Sequence, residues 1–141
     1  MLMAKKDLDP NDDVVACCGC FDLLHAGHVK FLEKAKSYGD YLIVLLNSDK
    51  SIRKLKGKYR PIIPQDQRKL ILEALECVDE VILFDEERPT KILKKIKPDI
   101  FVNSSEYGKD YEGPVAPKIK LIKNYPNVST SKIIKKIKSL K

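Results

Sequence analysis

Apolar residues fall along the chain in two rhythms. Unbroken runs at 14–18 and 41–46 have the length and composition of strands buried on both faces. Shorter runs at 80–84 and 100–102, the latter entered through Pro98 and Asp99, predict two more, and 119–122 predicts a fifth. Between them the spacing turns helical. Val29, Leu32, Ala35 and Tyr38 predict a helix over 26–38, ended near Gly39. A second helix is expected over 65–76 with Leu70, Ile71 and Ala74 inward, and a third over 90–96 after Pro89. A last one is expected over 129–140, with Ile133, Ile134, Ile137 and Leu140 as its apolar face. Asn47, Ser48 and Asp49 read as a polar loop, 51–64 as a mobile Lys/Arg-rich loop holding Gly57 and two prolines, and 103–117 as irregular. Strand and helix alternate without internal repeats. The pattern predicts one α/β domain over 14–141, a doubly wound parallel sheet of about five strands in three layers, with 1–13 as a flexible lead-in.

Composition narrows this picture. A chain of 141 residues can bury one real core. No apolar run approaches membrane-spanning length, and the mixed-charge start resembles neither a signal nor a transit peptide. The four cysteines, at 17, 18, 20 and 77, make no disulfide framework, so reduced thiols in a cytoplasmic protein are expected. The formal charge is +7, and 118–141 carries eight lysines and no acid. No aromatic-interleaved patch accompanies them, which argues against a nucleic-acid partner and for a solvated face that attracts small polyanions.

The candidate chemistry centres on the turn between the first strand and the first helix. Free N–H groups and the positive end of a helix dipole meet there, which suits a phosphate. The chain's two histidines, His25 and His28, flank Gly27 in this turn; each can donate to a phosphate oxygen, and the glycine leaves room for an anion to approach. Cys17, Cys20, His25 and His28 also read as a metal pattern. Their spacing is tighter than usual zinc sites, however, and Cys17 would lie inside a strand. Three further clusters belong with the turn. One is the basic stretch from Lys54 to Pro61. Another is Arg68, whose fork could reach a phosphate or pair with Asp66 or Glu73 at the surface. The third is the Ser129-Thr130-Ser131 run opening the last helix, where hydroxyls and N–H groups could take β- and γ-phosphates.

Taken together, the four clusters resemble the nucleotidyltransferases of the cytidylyltransferase-like superfamily, whose signature is an H-x-G-H turn. His25-Ala26-Gly27-His28 matches the signature, and Lys56-Gly57 with Arg60-Pro61 is similar to the K-G-x-x-R-P loop. Arg68 falls where the family keeps an arginine, and Ser129 to Ile134 resembles its C-terminal I-S-T-S/T-x-I-I motif. Within the superfamily, 19–29, Asn47-Ser48-Asp49 and Ala74-Leu75-Glu76 most resemble the adenylyltransferase domain acting on heptose 1-phosphate, with glycerol-3-phosphate cytidylyltransferases next. The resemblance implies a Rossmann-like fold and a homodimer. It also implies magnesium-assisted transfer of a nucleoside monophosphate, from ATP in the first instance, to a phosphorylated sugar. The alternatives are CTP with glycerol 3-phosphate and, more remotely, a non-catalytic nucleotide-binding module. His25, His28 and Lys56 would be catalytic. Gly19, Phe21, Asp22, Gly27, Asn47, Asp49, Gly57, Arg60, Arg68, Ser129, Thr130 and Ser131 would bind substrates, with magnesium carried mainly by the triphosphate and not by protein ligands. Two stretches depart from the pattern. Val102 to Tyr107 replaces the heptose enzymes' V-K-G-G-D-Y, beside the nucleotide. Asn124 to Thr130 lacks the arginine of the cytidylyltransferases' R-T-x-G-I-S-T; there Asn127 is expected to supply the left-handed turn of the glycine, and Lys123 the charge.

Overall fold

A computed structural model describes residues 8–108 and 113–140. Five strands, β1 (Val14–Gly19), β2 (Tyr41–Asn47), β3 (Glu80–Phe84), β4 (Ile100–Ser104) and β5 (Lys118–Ile122), form one open sheet in the order β3-β2-β1-β4-β5. Every neighbouring pair is parallel, with Val14 beside Tyr41, Val15 beside Ile100, Ile43 beside Glu80 and Ile100 beside Lys118. The chain winds outward from β1 to β3, then returns to the other side of β1. Its direction therefore reverses between β1 and β4, and a crevice opens at their carboxyl ends.

The continuous apolar runs became strands because both faces of the sheet are covered. On one face Val15, Cys17, Val44 and Leu46 pack against Leu32 and Ala35 of α1 (Ala26–Lys36) and Leu72 of α3 (Gln65–Glu73). On the other, Ala16, Ile43, Leu45 and Phe101 pack against Leu93 and Ile96 of α4 (Thr90–Ile96). The β5 edge alternates exposed lysines with partly buried Ile119 and Leu121, a pattern that discourages pairing with another chain. Residues 1–7 of the lead-in lie outside the described residues; 9–13 are held by Asn11 and Asp12 N–H bonds to Asp9 and by the Asp13 N–H bond to Asp40. No helix among the described residues is long and apolar enough to cross a membrane.

Three sequence expectations are corrected. Residues 51–64 are not wholly a loop, because Asp49–Lys56 form helix α2. Ser48 caps it by accepting from the Ser51 N–H, and Gly57, at φ +93°, ends it. Its own side chains bury little beyond Ser51 and Ile52, so apolar periodicity could not reveal it, although the serine and glycine stop signals were present. α3 ends at Glu73 and faces the other way: Leu70 is 67% exposed and Ile71 and Ala74 are also exposed, whereas Arg68 and Leu72, one turn apart, are buried. The last helix, α5 (Thr130–Ser139), buries none of its residues, and Ile137 and Leu140 are exposed. Ile133 and Ile134, at the start of the stripe, are half-buried, and its C-terminal part is left open among the described residues.

These placements predict a contrast on α3. Leu72→Ala should destabilise the domain by about 2–5 kcal/mol, the usual range for a buried leucine, and Leu70→Ala by no more than about 0.5 kcal/mol. Urea unfolding of the two variants checks the phase of the helix.

Candidate active site

β1 ends at Gly19 and the chain turns through Cys20–Leu24 into α1. Phe21 and Leu23 adopt left-handed backbone, at φ 47° and 52°, each at a cost of about 1–2 kcal/mol for an L-residue. Asp22, between them, is 2% exposed. One carboxylate oxygen accepts from the Ile62 N–H at 2.7 Å and from Arg60 Nε at 3.4 Å, and the other accepts from the Ile63 N–H at 2.9 Å. The Asp22 carbonyl accepts from the Thr130 hydroxyl at 2.6 Å. One residue thus joins the turn to the 60–63 segment and to the start of α5.

The two histidines cap α1 reciprocally. His25 Nδ1 accepts from the Gly27 N–H at 3.1 Å, and His28 Nδ1 accepts from the His25 N–H at 3.2 Å. With both Nδ1 atoms acting as acceptors, the neutral rings carry their protons on Nε2, which makes each an N–H donor. The rings stack with centroids 3.8 Å apart, and Phe21 lies 5.3 Å from His28. Burial pushes His25 below its ordinary 6.5. Burial, the neighbouring His25 and Lys56 together push His28 down to about 4, against the opposing pull of Asp22. Gly27 serves these rings more directly than it serves an anion: a Cβ there would stand 2.9 Å from the His25 ring and 3.1 Å from Val128.

Arg68 stands beneath the cleft. It is 1% exposed, and its guanidinium donates to the carbonyls of Ile63, Cys20 and Asn47 at 2.7–2.8 Å and to Asp49 Oδ1 at 2.8 Å. It therefore braces the ends of β1 and β2 in place of reaching a phosphate, and it pairs with neither Asp66 nor Glu73. Asp49 is spent on Arg68 and, through its N–H, on Gln65. Gly57 ends α2. None of these three lines the cleft.

The other predicted residues meet in one cavity of about 810 Å³ at the strand carboxyl ends, a size suited to a small-molecule ligand. His25, His28, Lys56 and Arg60 line it together with Ser129, Thr130 and Ser131, and Gly19, Phe21, Asp22, Gly27 and Asn47 complete that side. At α5 the Ser129 hydroxyl oxygen accepts from the Lys132 N–H, and the Ser129 carbonyl accepts from Ile133. The N–H groups of Thr130 and Ser131 head the helix without an intrahelical acceptor, as the first turn requires. The Thr130 hydroxyl proton is used on Asp22, so the offer to an anion comes from its backbone. Asn127, at φ +63°, supplies the left-handed turn expected of it, and Lys123 lines the cavity. Cys17 is packed in the core, and burial pushes both it and Cys20 upward, which keeps them as thiols. Among the described residues no cluster of three or more His, Cys, Asp or Glu is placed to hold a metal.

The resemblance put 102–107 beside the nucleotide, but sequence reasoning named none of the residues of the far rim as site residues. Asn103, Ser104, Glu106, Tyr107, Asn124 and Tyr125 line the cavity from the ends of β4 and β5, and Glu87 and Arg88 line it from the end of β3. The rule that ligands sit at strand carboxyl ends would have found them once the sheet order was known.

A parallel open sheet whose switch-point cleft offers imidazole N–H donors, a lysine, an arginine and a helix N-terminus defines a nucleotide-binding α/β enzyme. The chain belongs to the cytidylyltransferase-like family, whose model matches residues 16–136. It is a nucleotidyltransferase. It is 50% identical over 137 residues to the bifunctional protein HldE of Aliarcobacter butzleri, and equally so to that of Wolinella succinogenes. Each match covers 96% of this chain and 29% of the relative, so the chain spans less than a third of these curated relatives. Among solved structures it resembles a lipopolysaccharide core biosynthesis protein from Thermoplasma volcanium, with TM-score 0.68 and 30% identity over 82% of this chain and 99% of that one. A pantoate-beta-alanine ligase from Francisella tularensis, at TM-score 0.58 and 16% identity over 97% of this chain and 74% of that one, shares the fold.

Two outcomes follow for the site. The folded chain holds His28 neutral while the unfolded chain takes up a proton near pH 6.5. This group's contribution to stability is therefore complete above about 6.5 and is lost as pH falls towards about 4. His28→Asn keeps an acceptor for the His25 N–H and does not titrate, so its thermal midpoint should fall less than the wild-type value between those pH values; parallel decline would refute the neutral histidine. Arg68→Met strands three carbonyls and a carboxylate, and should cost about 3–5 kcal/mol in denaturant unfolding.

Proposed function

We infer that the chain transfers a nucleoside monophosphate from a nucleoside triphosphate, ATP in the first instance, to the phosphate of a phosphorylated sugar such as heptose 1-phosphate, releasing pyrophosphate. The observation that carries this reading is the pairing, across one cleft, of two Nε2–H imidazoles with Lys56, Arg60 and the head of α5. The HldE relatives and the lipopolysaccharide core biosynthesis protein of Thermoplasma volcanium support a sugar phosphate acceptor. The description of the family model supports CTP as the second donor to be tried.

An acceptor phosphate oxygen attacks the α-phosphorus in line; the new P–O bond forms as the bond to the β-phosphate bridge breaks, and pyrophosphate leaves. No side chain need act as nucleophile, so the protein's part is to hold two mutually repelling anions and to meet charge as it develops. His25 and His28 donate from Nε2 to the reacting phosphate, and Lys56 and Arg60, which line the same cavity, neutralise it. The Ser129 hydroxyl and the Thr130 and Ser131 N–H groups receive the departing phosphates. Neutral imidazoles serve this purpose because a hydrogen-bond donor, not a proton, is required. Magnesium comes with the triphosphate as part of the substrate and supplies charge neutralisation; the two Asp22 carboxylate oxygens are already taken by N–H groups of this chain. A homodimer belongs to the same reading, and the exposed Ile137 and Leu140 are in keeping with it.

Pyrophosphate release with magnesium, from ATP and from CTP against heptose 1-phosphate and glycerol 3-phosphate, tests the proposal. ATP with the sugar phosphate is expected to turn over, and His28→Asn to be slower by about a hundred- to a thousandfold. Wild-type turnover by the folded variant would remove His28 from the chemistry, and absence of turnover with every pair would overturn the transfer reaction.

A further inference from the structure

The cleft carries a carboxylate that the transfer chemistry does not use. Glu106, in the turn after β4, lines the same cavity as the phosphate-binding groups. An ionised carboxylate only accepts hydrogen bonds, and it repels phosphate. Its stretch of wall must therefore face a part of the substrates that is uncharged and donates.

The orientation of Glu106 is prepared. The Ser104 hydroxyl donates to Asn124 Oδ1 at 2.8 Å, which turns the Asn124 amide so that its Nδ2 donates to Glu106 Oε2 at 3.2 Å. The Ser105 N–H bonds the Ile122 carbonyl at 2.8 Å, tying this turn to the end of β5. Oε1 receives no hydrogen bond from the described residues. Tyr107 and Tyr125, 47% and 44% exposed, line the cavity on either side in sequence, and Ile122 and Val128 add apolar surface. The histidine turn, Lys56, Arg60 and the head of α5 supply the phosphate-binding donors of the same cavity, and Lys123, beside Asn124, is the cation of the β5 end. A planar, uncharged, donor-bearing group fits the β4–β5 end.

We propose that Glu106 reads the nucleobase, its Oε1 accepting from the exocyclic amino group of an amino-bearing base, with Ser104 and Asn124 as positioning residues. The proposal rests on the reading of the cleft as a nucleoside triphosphate site. It holds for adenine and cytosine alike, because each carries an amino group where hypoxanthine and uracil carry a carbonyl oxygen. With those bases the carboxylate would meet an acceptor and be left without a partner.

Calorimetric binding by the full chain, without acceptor, compares ATP with ITP and CTP with UTP. The wild type is expected to bind the amino-bearing member of its preferred pair about ten- to a hundredfold more tightly, the range of one hydrogen bond to a charged group. Glu106→Gln, which can offer an N–H to a carbonyl, should reduce that ratio to about threefold or less, and Glu106→Ala should do the same. The thermal midpoints of both variants report that they are folded. An unchanged ratio in the folded variants overturns the proposal. So does a change confined to the ratio of ATP to 2′-deoxyATP, which would assign Glu106 to the ribose. Intact discrimination without turnover would count against the transfer reaction and leave the base contact standing; failure to bind any nucleotide would remove both.

Discussion

Two opposite charges buried under one turn hold the site together. Asp22 and Arg68 do not touch each other, but they grip the same short segments. Asp22 takes the Ile63 N–H and Arg68 takes the Ile63 carbonyl, so that residue is held from both sides. Arg68 also takes the Cys20 carbonyl, two residues before Asp22, and the Asn47 carbonyl at the end of β2. Buried charges are costly unless their hydrogen bonds are met, and here they are met largely by backbone groups that strand ends and left-handed residues leave over. The strained backbone at Phe21 and Leu23 persists because these contacts over-determine it. Removing either charge would release the histidine turn and the 60–63 segment together.

That framework explains how weakly basic groups can serve a polyanion. His25 and His28 use Nδ1 for the helix start and keep Nε2–H for the cleft, so structure and chemistry are divided between the two nitrogens of each ring. Burial and mutual repulsion keep His28 neutral. The positive charge comes from Lys56 and Arg60, and Arg60 is partly balanced by Asp22. Donors already fixed in place lose little orientational freedom when charge develops on a substrate, which is the main source of catalytic advantage when the protein supplies no nucleophile.

The two rims of the cleft divide the labour along the sheet. The β1–α1 turn, α2 and the start of α5 supply what any phosphate requires. The β4 and β5 ends supply Ser104, Glu106, Asn124 and two tyrosines, which are hydrogen-bonding and aromatic groups, together with Lys123. This far rim is also where the sequence departs from the motifs it otherwise resembles. Substrate preference can vary there without disturbing the Asp22 and Arg68 braces.

The strands, their alternation with helices and the histidine turn were legible because their causes are local. Runs such as Leu42–Leu46 can be satisfied only by burial on two faces, and a glycine between two histidines at a helix start has few other uses. The Ser129 cap and the left-handed Asn127 belong with them, each set by a side chain acting within a few residues. Other features depend on partners far along the chain. α2 has little apolar surface of its own and stands because Ser48, Gln65 and Arg68 hold its first turn. The phase of α3 follows from Arg68, whose acceptors lie at Cys20, Asn47 and Asp49, so a charged residue took the inward place that Leu70 and Ile71 were expected to fill. The Thr130 hydroxyl turned to the Asp22 carbonyl 108 positions away. Local pattern determined which groups could bind a nucleotide; long-range hydrogen bonds decided which of them face the cleft and which support it.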